Sequence, residues 1–346
     1  MKALVYHGPR DIRCENIADP GLAEARGAIV RVSAASICGS DLHLYHGRLP
    51  IEPGFAVGHE FVGVVEEVGR EVRRFRRGDR VIVPGVASCG ECANCRRGYS
   101  VGCLTAPMPV FGMSSRLPGG QAELVRVPVA DANLVPIPAD LPDERVLFLT
   151  DILPTGYYGA RNGDIRPGDV VAVVGAGPVG LSAMMAAKLF GPARLIAIDR
   201  VPARLEAARR LGAQSVDAST TDPVGAVHEV TDGLGADVVI EAVGAEETLL
   251  LAVQLVRMGG HVSVVGVFVE PSMPFPVGLL FLKDVRLHMG TCNVAEYVPP
   301  LLNLVRSGAI DPTALISHHL PLGDGARAYD MFDRRADNCV KIVLTP

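Results

Sequence analysis

The sequence predicts two domains of the α/β class, one with a β-rich, partly closed barrel and one with a doubly wound parallel sheet. Its 346 residues exceed the length of a common single domain about twofold. Residues 1 to about 150 consist of short β-branched runs divided by turn residues, with little helical periodicity. From about Pro167, strand-like and helix-like segments alternate, which is typical of a parallel sheet covered by helices on both faces.

The predicted elements follow the chain in two groups. In the first part, strands are predicted at 3–8, 28–36, 61–69, 79–85, 122–128 and 132–138. In the second part, strands are predicted at 170–175, 194–199, 237–244, 261–268 and 285–290. Helices are predicted between them, up to residue 190, at 202–212 and at 247–259. A helix at 295–307 and a strand at 339–346 form a tail that returns to the first domain. The predicted domains are therefore 1–152 with 289–346, and 153–288.

Composition and charge restrict the partners and the location. The formal net charge is −5 and the isoelectric point is about 6.0, so no basic field attracts nucleic acid or an anionic membrane. The N-terminus has no apolar run of signal-peptide length, and four of the eight cysteines are scattered, which indicates a reduced, cytoplasmic setting. The uncharged stretch Val170 to Ala187 reaches the lower limit of a transmembrane span, but its clustered glycines predict a buried strand, turn and helix.

Four closely spaced cysteines predict a zinc site in a lobe at about residues 85–105. They have the spacing C-x2-C-x2-C-x7-C and are Cys89, Cys92, Cys95 and Cys103. Four thiolates complete the tetrahedral coordination of Zn²⁺, so this zinc would be structural and without an open position. Disulfide pairing is the alternative, although disulfide-rich folds are usually short and secreted.

A glycine motif predicts a dinucleotide site. The pattern G-x-G-x-x-G follows a predicted strand and opens a helix, with its glycines at Gly175, Gly177 and Gly180. Such glycines permit a tight turn, close approach of a pyrophosphate and packing of the helix on the strand. Asp199 ends the next strand, where a carboxylate can bind the adenosine ribose, so NAD is favoured over NADP. Arg200 and Arg204 leave NADP as the alternative, and glycines that serve packing alone are a further one.

Two other segments combine with these motifs to suggest a second metal. They are CGSDLH, which begins at Cys38, and GHEFVGVVEEVG, which contains His59. A thiolate and an imidazole from separate loops can hold one zinc, and a catalytic site with three protein ligands keeps a position for substrate. Together with GAGPVG and the terminal KIVL, these motifs occur in an order that resembles the zinc-containing medium-chain alcohol dehydrogenase family over essentially the full length. The resemblance implies a GroES-like barrel domain and a Rossmann domain.

The resemblance also implies which residues bind the second zinc. Cys38 and His59 resemble two of its ligands, and Asp151 occupies the position of the third, as in a bacterial branch of formaldehyde and secondary-alcohol dehydrogenases. Other relatives use cysteine or glutamate there, and Asp151 alternatively stabilises a helix N-terminus. Glu60 matches a glutamate behind the metal. Asp41 resembles a carboxylate that orients the histidine, with a turn-forming aspartate as the alternative.

Proton transfer and cofactor binding are assigned by the same resemblance. Ser40 resembles the hydroxyl that bonds the substrate oxygen, and His43 resembles the histidine that passes the proton to solvent. The expected cofactor-binding residues are Gly175, Gly177, Pro178, Val179, Gly180, Asp199, Arg200, Arg204, Val243, Gly266 and Lys341. The last of these aligns with a basic residue that reaches the cofactor phosphates.

The expected function is oxidation of an alcohol, polyol or aldehyde hydrate by NAD, with two zinc ions per subunit. A sorbitol-type dehydrogenase and a non-catalytic zinc and NAD sensor are the alternatives. Relatives of this size are commonly homotetramers or homodimers, and a homotetramer is expected. The substrate is not identified by the sequence. Four apolar residues are candidates to line its pocket, namely Tyr45, Phe55, Met108 and Phe111.

Overall fold

The chain divides into two compact units. The computed structural model describes residues 1–22, 24–106 and 109–346. The first unit comprises Met1–Pro154 and Asn293–Pro346, and the second comprises Thr155–Cys292. The boundaries predicted from the sequence are 152/153 and 288/289. The latter would cut the strand Arg286–Met289, whose pairing within the parallel sheet keeps it in the second unit.

The elements of the described residues are numbered in chain order. The strands are β1 Lys2–Gly8, β2 Asp11–Asn16, β3 Ala28–Ser36, β4 Phe55–Ala56, β5 Glu60–Val68, β6 Arg80–Val83, β7 Leu124–Val127, β8 Val135–Pro136, β9 Val170–Val174, β10 Arg194–Asp199, β11 Gln214–Asp217, β12 Ala236–Glu241, β13 Val256–Val264, β14 Arg286–Met289, β15 His318–Pro321 and β16 Ile342–Thr345. The helices are α1 Asp41–Tyr45, α2 Ala93–Arg96, α3 Ala130–Asn133, α4 Asp143–Leu147, α5 Ile152–Asn162, α6 Pro178–Ala187, α7 Pro202–Arg210, α8 Pro223–Val230, α9 Glu246–Leu255, α10 Val277–Lys283, α11 Val294–Ser307 and α12 Gly325–Arg334. Short 3₁₀ turns lie at Ser100–Gly102, Phe148–Thr150, Lys188–Phe190, Pro312–Leu315, Leu322–Asp324 and Ala336–Asn338.

The first unit is built on two sheets. The larger has the strand order β15-β16-β3-β5-β6-β8, with β7 also paired to β3, and the smaller has the order β2-β1-β4. Apart from the parallel pair β15 and β16, the strands pair antiparallel. Two register shifts between β3 and β5 bend this sheet, as bulges do, around a core that includes Phe61 and Phe111. The predicted β-rich, GroES-like fold of this domain is confirmed, and the C-terminal segment Asn293–Pro346 lies in the same unit.

The second unit is a doubly wound α/β domain. Its six strands are all parallel in the order β11-β10-β9-β12-β13-β14. The chain starts at the centre with β9, extends to one edge and then crosses back to β12, so the strand order reverses between β9 and β12. Three of its helices begin with proline, which is favourable because the first N–H of a helix has no partner within it; these are Pro178, Pro202 and Pro223.

The apolar stretch Val170 to Ala187 folds as predicted into β9, a glycine turn and α6. Both elements are almost entirely buried, because β9 lies at the sheet centre and α6 packs on it. No helix in the described part of the chain has both the length and the apolar character needed to cross a membrane.

Three local predictions differ from the structure. The helix predicted at 247–259 ends at Leu255, because Val256 already pairs with Ala236 and starts β13. Gly259 then adopts a φ of +67°, which a helix would not accommodate. The strand predicted at 132–138 divides into the end of α3 and the two-residue β8. The short strands β2, β4, β11 and β15 were not predicted, because each is six residues long or shorter and has at most one β-branched or aromatic residue.

We expect Gly180→Ala to destabilise the second unit. A Cβ at Gly180 would lie 1.8 Å from the carbonyl oxygen of Gly175, so the turn between β9 and α6 would have to move. The expected loss is about 3 kcal/mol, at the upper end of the range for overpacked sites, measured as a shift in the urea midpoint. Gly177→Ala is the control, because its Cβ would make only ordinary contact at 3.6 Å with Arg204, and it should cost below about 1 kcal/mol. Equal losses in both variants would contradict the steric explanation.

Candidate active site

Sheet pairing in the first unit brings together the three predicted ligands of the second metal. Cys38 follows β3 and His59 directly precedes β5, and these strands end side by side because Ser36 pairs with Glu60. Asp151 lies between the 3₁₀ turn Phe148–Thr150 and α5. Its carboxylate Oδ2 is 3.4 Å from Cys38 Sγ and 3.4 Å from His59 Nε2.

A glycine fixes the approach of the third ligand. The N–H of Gly85 donates to the carbonyl oxygen of Thr150 at 2.8 Å. A Cβ at Gly85 would lie 2.9 Å from the carbonyl oxygen of His59 and 3.3 Å from that of Thr150. Only a residue without a side chain therefore lets the chain before Asp151 lie against the loop of His59.

The donor set fits a zinc ion. The sulfur, nitrogen and oxygen atoms of Cys38, His59 and Asp151 all lie within 4.8 Å of one another. Ligands at about 2.0–2.3 Å from a tetrahedral zinc would be separated by roughly 3.3–3.8 Å, close to the two distances of 3.4 Å. Three ligands of these types also leave one coordination position for a substrate oxygen.

The electrostatics of the cluster favour a cation. Burial lowers the pKa of His59, but the carboxylate of Asp41, the sulfur of Cys38 and the carboxylate of Asp151 outweigh it, so the pKa is raised well above the usual range. Burial raises the pKa of the Cys38 thiol, and the negative charges of Glu60 and Asp151 raise it further. The surroundings thus stabilise positive charge beside Cys38, which a bound metal would supply.

Asp41 determines which nitrogen of His59 faces the cluster. Asp41 Oδ1 lies 3.1 Å from His59 Nδ1, within ion-pair distance, and neither atom has a hydrogen-bond partner among the described residues. The other carboxylate oxygen accepts the backbone N–H of Cys38 at 2.9 Å. With Nδ1 occupied by Asp41, Nε2 is left as the metal ligand.

Glu60 and Lys341 form a completely buried ion pair beside the cluster. Lys341 Nζ also donates to the carbonyl oxygen of Ile37 at 2.7 Å and lies over the Phe148 ring at 5.6 Å. Lys341 is predicted to reach the cofactor phosphates, but in the structure its ammonium group is buried and paired with Glu60, because a buried carboxylate requires a compensating charge. Glu60 Oε1 has no hydrogen-bond partner in the described part of the chain.

The two predicted relay residues lie in and before the short helix α1. Ser40 precedes α1, and its Oγ is 3.2 Å from His59 Nε2, so the hydroxyl lies at the ligand cluster. His43 lies within α1 and is half-buried, and its backbone N–H donates to the carbonyl oxygen of Ser40 at 3.1 Å.

The predicted cysteine lobe brings its four sulfur atoms together without a disulfide. All four lie within 4.8 Å of one another, and Cys92 Sγ is 3.4 Å from Cys95 Sγ. Backbone N–H groups point at the sulfurs, among them those of Cys92 and Leu104. A hydrogen bond from Thr105, followed by backbone N–H groups, lowers the pKa of Cys89 to about 6. Backbone donors also lower the pKa of Cys92, whereas burial, followed by the neighbouring Cys92 thiol, raises the pKa of Cys95 to about 12. Four sulfur atoms this close together fit a structural zinc ion.

In the second unit, the glycine motif forms the turn between β9 and α6. Gly175 has a φ of +92°, and a Cβ there would lie 2.4 Å from the side chain of Val243. Asp199 Oδ2 accepts the N–H of Ala176 at 2.7 Å, which ties the glycine turn to the end of β10. Arg204 Nη1 is 3.9 Å from the same carboxylate oxygen. The geometry provides the N–H groups and the helix N-terminus that bind a pyrophosphate.

Sequence reasoning missed a buried carboxylate next to this turn. Glu241, at the end of β12, is completely buried, and its Oε1 accepts the N–H groups of Val243 and Gly244 at 2.9 Å and the hydroxyl of Thr248 at 2.8 Å. A Cβ at Gly266 would lie 2.5 Å from Glu241 Oε2. Glu241 therefore shapes the loop that contains Val243, and its position at the carboxyl end of a central strand was the signal available in the sequence.

The apolar pocket candidates lie mostly in the core. Tyr45, Phe55 and Phe111 are buried in the hydrophobic core of the first unit. Met108 lies outside the described residues.

Comparison with known proteins identifies the family of this chain. Residues 24–139 match the family model described as the alcohol dehydrogenase GroES-like domain, and residues 178–307 match the model described as zinc-binding dehydrogenase. The structure of alcohol dehydrogenase TADH from Thermus sp. ATN1 is 43% identical, covers 100% of this chain and 99% of that chain, and superposes with a TM-score of 0.94.

Two further solved structures are similar and contain a nicotinamide cofactor. An alcohol dehydrogenase from E. coli CFT073, complexed with NADH, is 30% identical with a TM-score of 0.89 over 100% of this chain and 99% of that chain. A zinc-binding dehydrogenase from Sinorhizobium meliloti 1021, bound to NADP, is 30% identical with a TM-score of 0.87 and the same coverage. Because the sequence similarity to these proteins extends over the whole chain, this chain belongs to the zinc-containing medium-chain alcohol dehydrogenase family. The members of this family are oxidoreductases that act on alcohols.

Proposed function

We propose that this chain transfers hydride between a small alcohol and NAD, with one zinc ion held by Cys38, His59 and Asp151. The observation that carries the proposal is the convergence of a thiol, an imidazole nitrogen and a carboxylate oxygen within 4.8 Å. A steady-state panel of small alcohols, polyols and aldehydes with both cofactors tests it. Reduction of NAD by at least one alcohol is expected, and no turnover across the panel would contradict the proposal.

The protein's own groups orient the reactants and move the proton. A bound zinc would act as a Lewis acid on the substrate oxygen. Asp41 holds Nδ1 of His59, which keeps Nε2 directed at the ligand cluster. Ser40 Oγ, 3.2 Å from that nitrogen, is placed to accept the proton of a substrate hydroxyl. The imidazole of His43 in α1 is the next acceptor on the way to solvent.

A second, structural zinc is proposed for the cysteine lobe. Four thiolates complete its coordination, so this ion takes no part in the reaction. The four cysteines of the lobe form no disulfide in the structure, and thiolate ligands remain reduced in the cytoplasm, where we place the protein.

NAD is the proposed cofactor because of Asp199. Its two carboxylate oxygens offer about four acceptor sites. Three are used by the N–H groups of Ala176, Arg200 and Val201. The remaining site can accept a ribose hydroxyl, whereas the negative charge repels a 2′-phosphate.

The two metal sites should respond differently to ligand removal. Asp151→Ala should leave a folded protein with one zinc ion and lower kcat/KM by about a thousandfold, equivalent to about 4 kcal/mol of transition-state stabilisation. Cys95→Ser should instead lose the structural zinc and roughly 3 kcal/mol or more of stability. Zinc content, thermal melting and steady-state kinetics measure these effects.

Asp140→Ala is the matched control, because it removes an exposed carboxylate that pairs with Arg306 in the same unit. It should keep two zinc ions and full activity. The assignment of the two sites is wrong if Cys95→Ser abolishes turnover in a stable protein while Asp151→Ala unfolds.

Cofactor preference should depend on Asp199. We expect Asp199→Ser to lower kcat/KM for NAD by about tenfold or more. The ratio of kcat/KM with NAD to kcat/KM with NADP should also fall, because Arg204 can then pair with a 2′-phosphate. Asp217→Ser is the control: Asp217 ends β11 in register with Asp199, and its removal should leave the ratio of the two cofactors unchanged. A wild-type protein that prefers NADP would contradict the proposal.

We also propose a homotetramer, with a homodimer as the other closed assembly. Helix α10 exposes Val277 by 67%, Phe281 by 83% and Leu282 by 72%, an apolar surface that a monomer rarely presents. In the parallel sheet, β13 is already paired on both sides, whereas β14 is an edge strand. Pairing between the sheets of two subunits would therefore involve β14 and not β13.

Light scattering should give a mass near four times 36.5 kDa. Phe281→Asp combined with Leu282→Asp should reduce the mass to that of a dimer or a monomer. Leu234→Asp, at another residue exposed by 72% in the same unit, should not change it. A monomeric wild type would rule out this proposal.

A further inference from the structure

A chain of buried hydrogen bonds leads to Asp41 through the carboxylate oxygen that does not face His59. The hydroxyl of Tyr329, in α12, donates to Gln121 Oε1 at 2.9 Å. Gln121 Nε2 donates to the carbonyl oxygen of Ser36 at 3.0 Å and to Asp41 Oδ2 at 3.4 Å. Asp41 Oδ1 then faces His59 Nδ1 at 3.1 Å. The chain therefore connects two residues outside the cluster to the orientation of a metal ligand.

Burial allows only one orientation of the Gln121 amide in this chain of hydrogen bonds. Gln121 and Tyr329 are completely buried, and Asp41 and His59 are exposed by 1% and 3%. If the amide of Gln121 were turned over, its oxygen would face two other acceptors, the Ser36 carbonyl and the Asp41 carboxylate. Buried polar groups without partners are costly, so the amide is held with its nitrogen towards Asp41. The hydroxyl of Tyr329 supports this orientation, because it donates to the amide oxygen.

Gln121 also contacts the loop that contains His59. Its backbone N–H donates to the carbonyl oxygen of Val57 at 3.0 Å. Gly58 has a φ of +91°, and a Cβ there would lie 2.4 Å from Gln121 Cγ. The side chain of Gln121 is thus packed against the residue that precedes His59 while its amide bonds Asp41. One residue fixes both the backbone position of the ligand and the carboxylate that orients its ring.

We propose that Gln121 and Tyr329 are positioning residues for the metal centre: they hold Asp41 against His59 Nδ1 and so keep Nε2 aimed at the zinc. This inference rests on the proposed zinc site of Cys38, His59 and Asp151. Neither residue touches the metal or the substrate. Their action is on the rate at which zinc leaves and on the ligand geometry, since groups that hold metal-bound histidines typically change metal affinity 10- to 100-fold.

The cysteine lobe provides an internal control for the test. In the two-zinc wild-type protein, transfer of zinc to a chromophoric chelator is followed for each site, and cobalt is substituted at the three-ligand site for visible spectroscopy. Tyr329→Phe removes one hydroxyl and keeps the ring, which packs 5.5 Å from that of Tyr45. We expect it to release the zinc of the three-ligand site about tenfold faster, to shift the cobalt spectrum, and to leave zinc in the cysteine lobe unaffected.

Two further variants separate positioning from general stability. Gln121→Met keeps the approximate volume and should reproduce the faster release, and adding Tyr329→Phe to it should have little further effect, because the hydroxyl acts through the amide. Tyr6→Phe removes a hydroxyl from another buried ring of the same core and should change neither the release rate nor the spectrum. If Gln121→Met fails to fold, Tyr329→Phe alone decides the outcome.

The inference is overturned if Tyr329→Phe lowers the melting temperature but leaves the release rate and the cobalt spectrum as in the wild type. It is also overturned if Tyr329→Phe raises the rate of zinc release by the same factor at both sites, which would indicate a general loss of stability. A wild type that binds zinc only in the cysteine lobe would contradict the proposed function itself, and the inference with it.

Discussion

The antiparallel pairing of β3 with β5 is the constraint on which the proposed catalytic site depends. Because Ser36 pairs with Glu60, the chain leaves β3 and enters β5 at the same end of the sheet, and Cys38 and His59 meet there. Their separation in sequence is bridged by a ladder of backbone hydrogen bonds rather than by a flexible loop. The third ligand is added by a contact of similar rigidity, in which Gly85 lies between the carbonyl oxygens of His59 and Thr150. A metal centre built on such a frame loses little conformational entropy when it binds its ion.

The same burial that makes the site rigid creates an electrostatic demand. Three carboxylates, those of Asp41, Glu60 and Asp151, lie around the ligands together with Cys38, and Lys341 is the fully buried cation among them. With the thiol ionised and His59 neutral, as metal ligands have to be, the surplus is three negative charges, which a divalent cation reduces to one. Buried charges are tolerated only when they are compensated. The surplus therefore favours a metal ion, and it also explains why Lys341 pairs with Glu60 instead of extending towards a cofactor.

The sequence carried enough information for the architecture and for the residues with local motifs. Alternation of strands and helices predicted the parallel sheet. The cysteine spacing predicted the cysteine lobe, and the glycine motif predicted the turn between β9 and α6. Each of these two features lies within one short segment of the chain. Gln121, Tyr329 and Glu241 could not be identified in this way, because they belong to no motif. Gln121 is hydrogen-bonded to Asp41, which lies 80 positions before it in the sequence, and to Tyr329, which lies 208 positions after it. Its role therefore exists only in the folded chain. The start of β13 was misplaced for a related reason: its pairing with β12 overrides a continuous apolar pattern.

The two proposed zinc sites follow opposite structural principles. The cysteine lobe collects all its ligands within fifteen residues, and backbone N–H groups of the same segment stabilise its sulfurs. A site of this kind needs little from the rest of the fold, but its four sulfurs leave nothing open for chemistry. The site of Cys38, His59 and Asp151 takes ligands from three distant segments and therefore needs the sheet, Asp41 and the residues behind Asp41 to hold them. Its incomplete coordination, which permits catalysis, is also the reason why orientation has to be supplied from outside the ligand set, by groups such as Gln121 and Tyr329 that touch neither metal nor substrate.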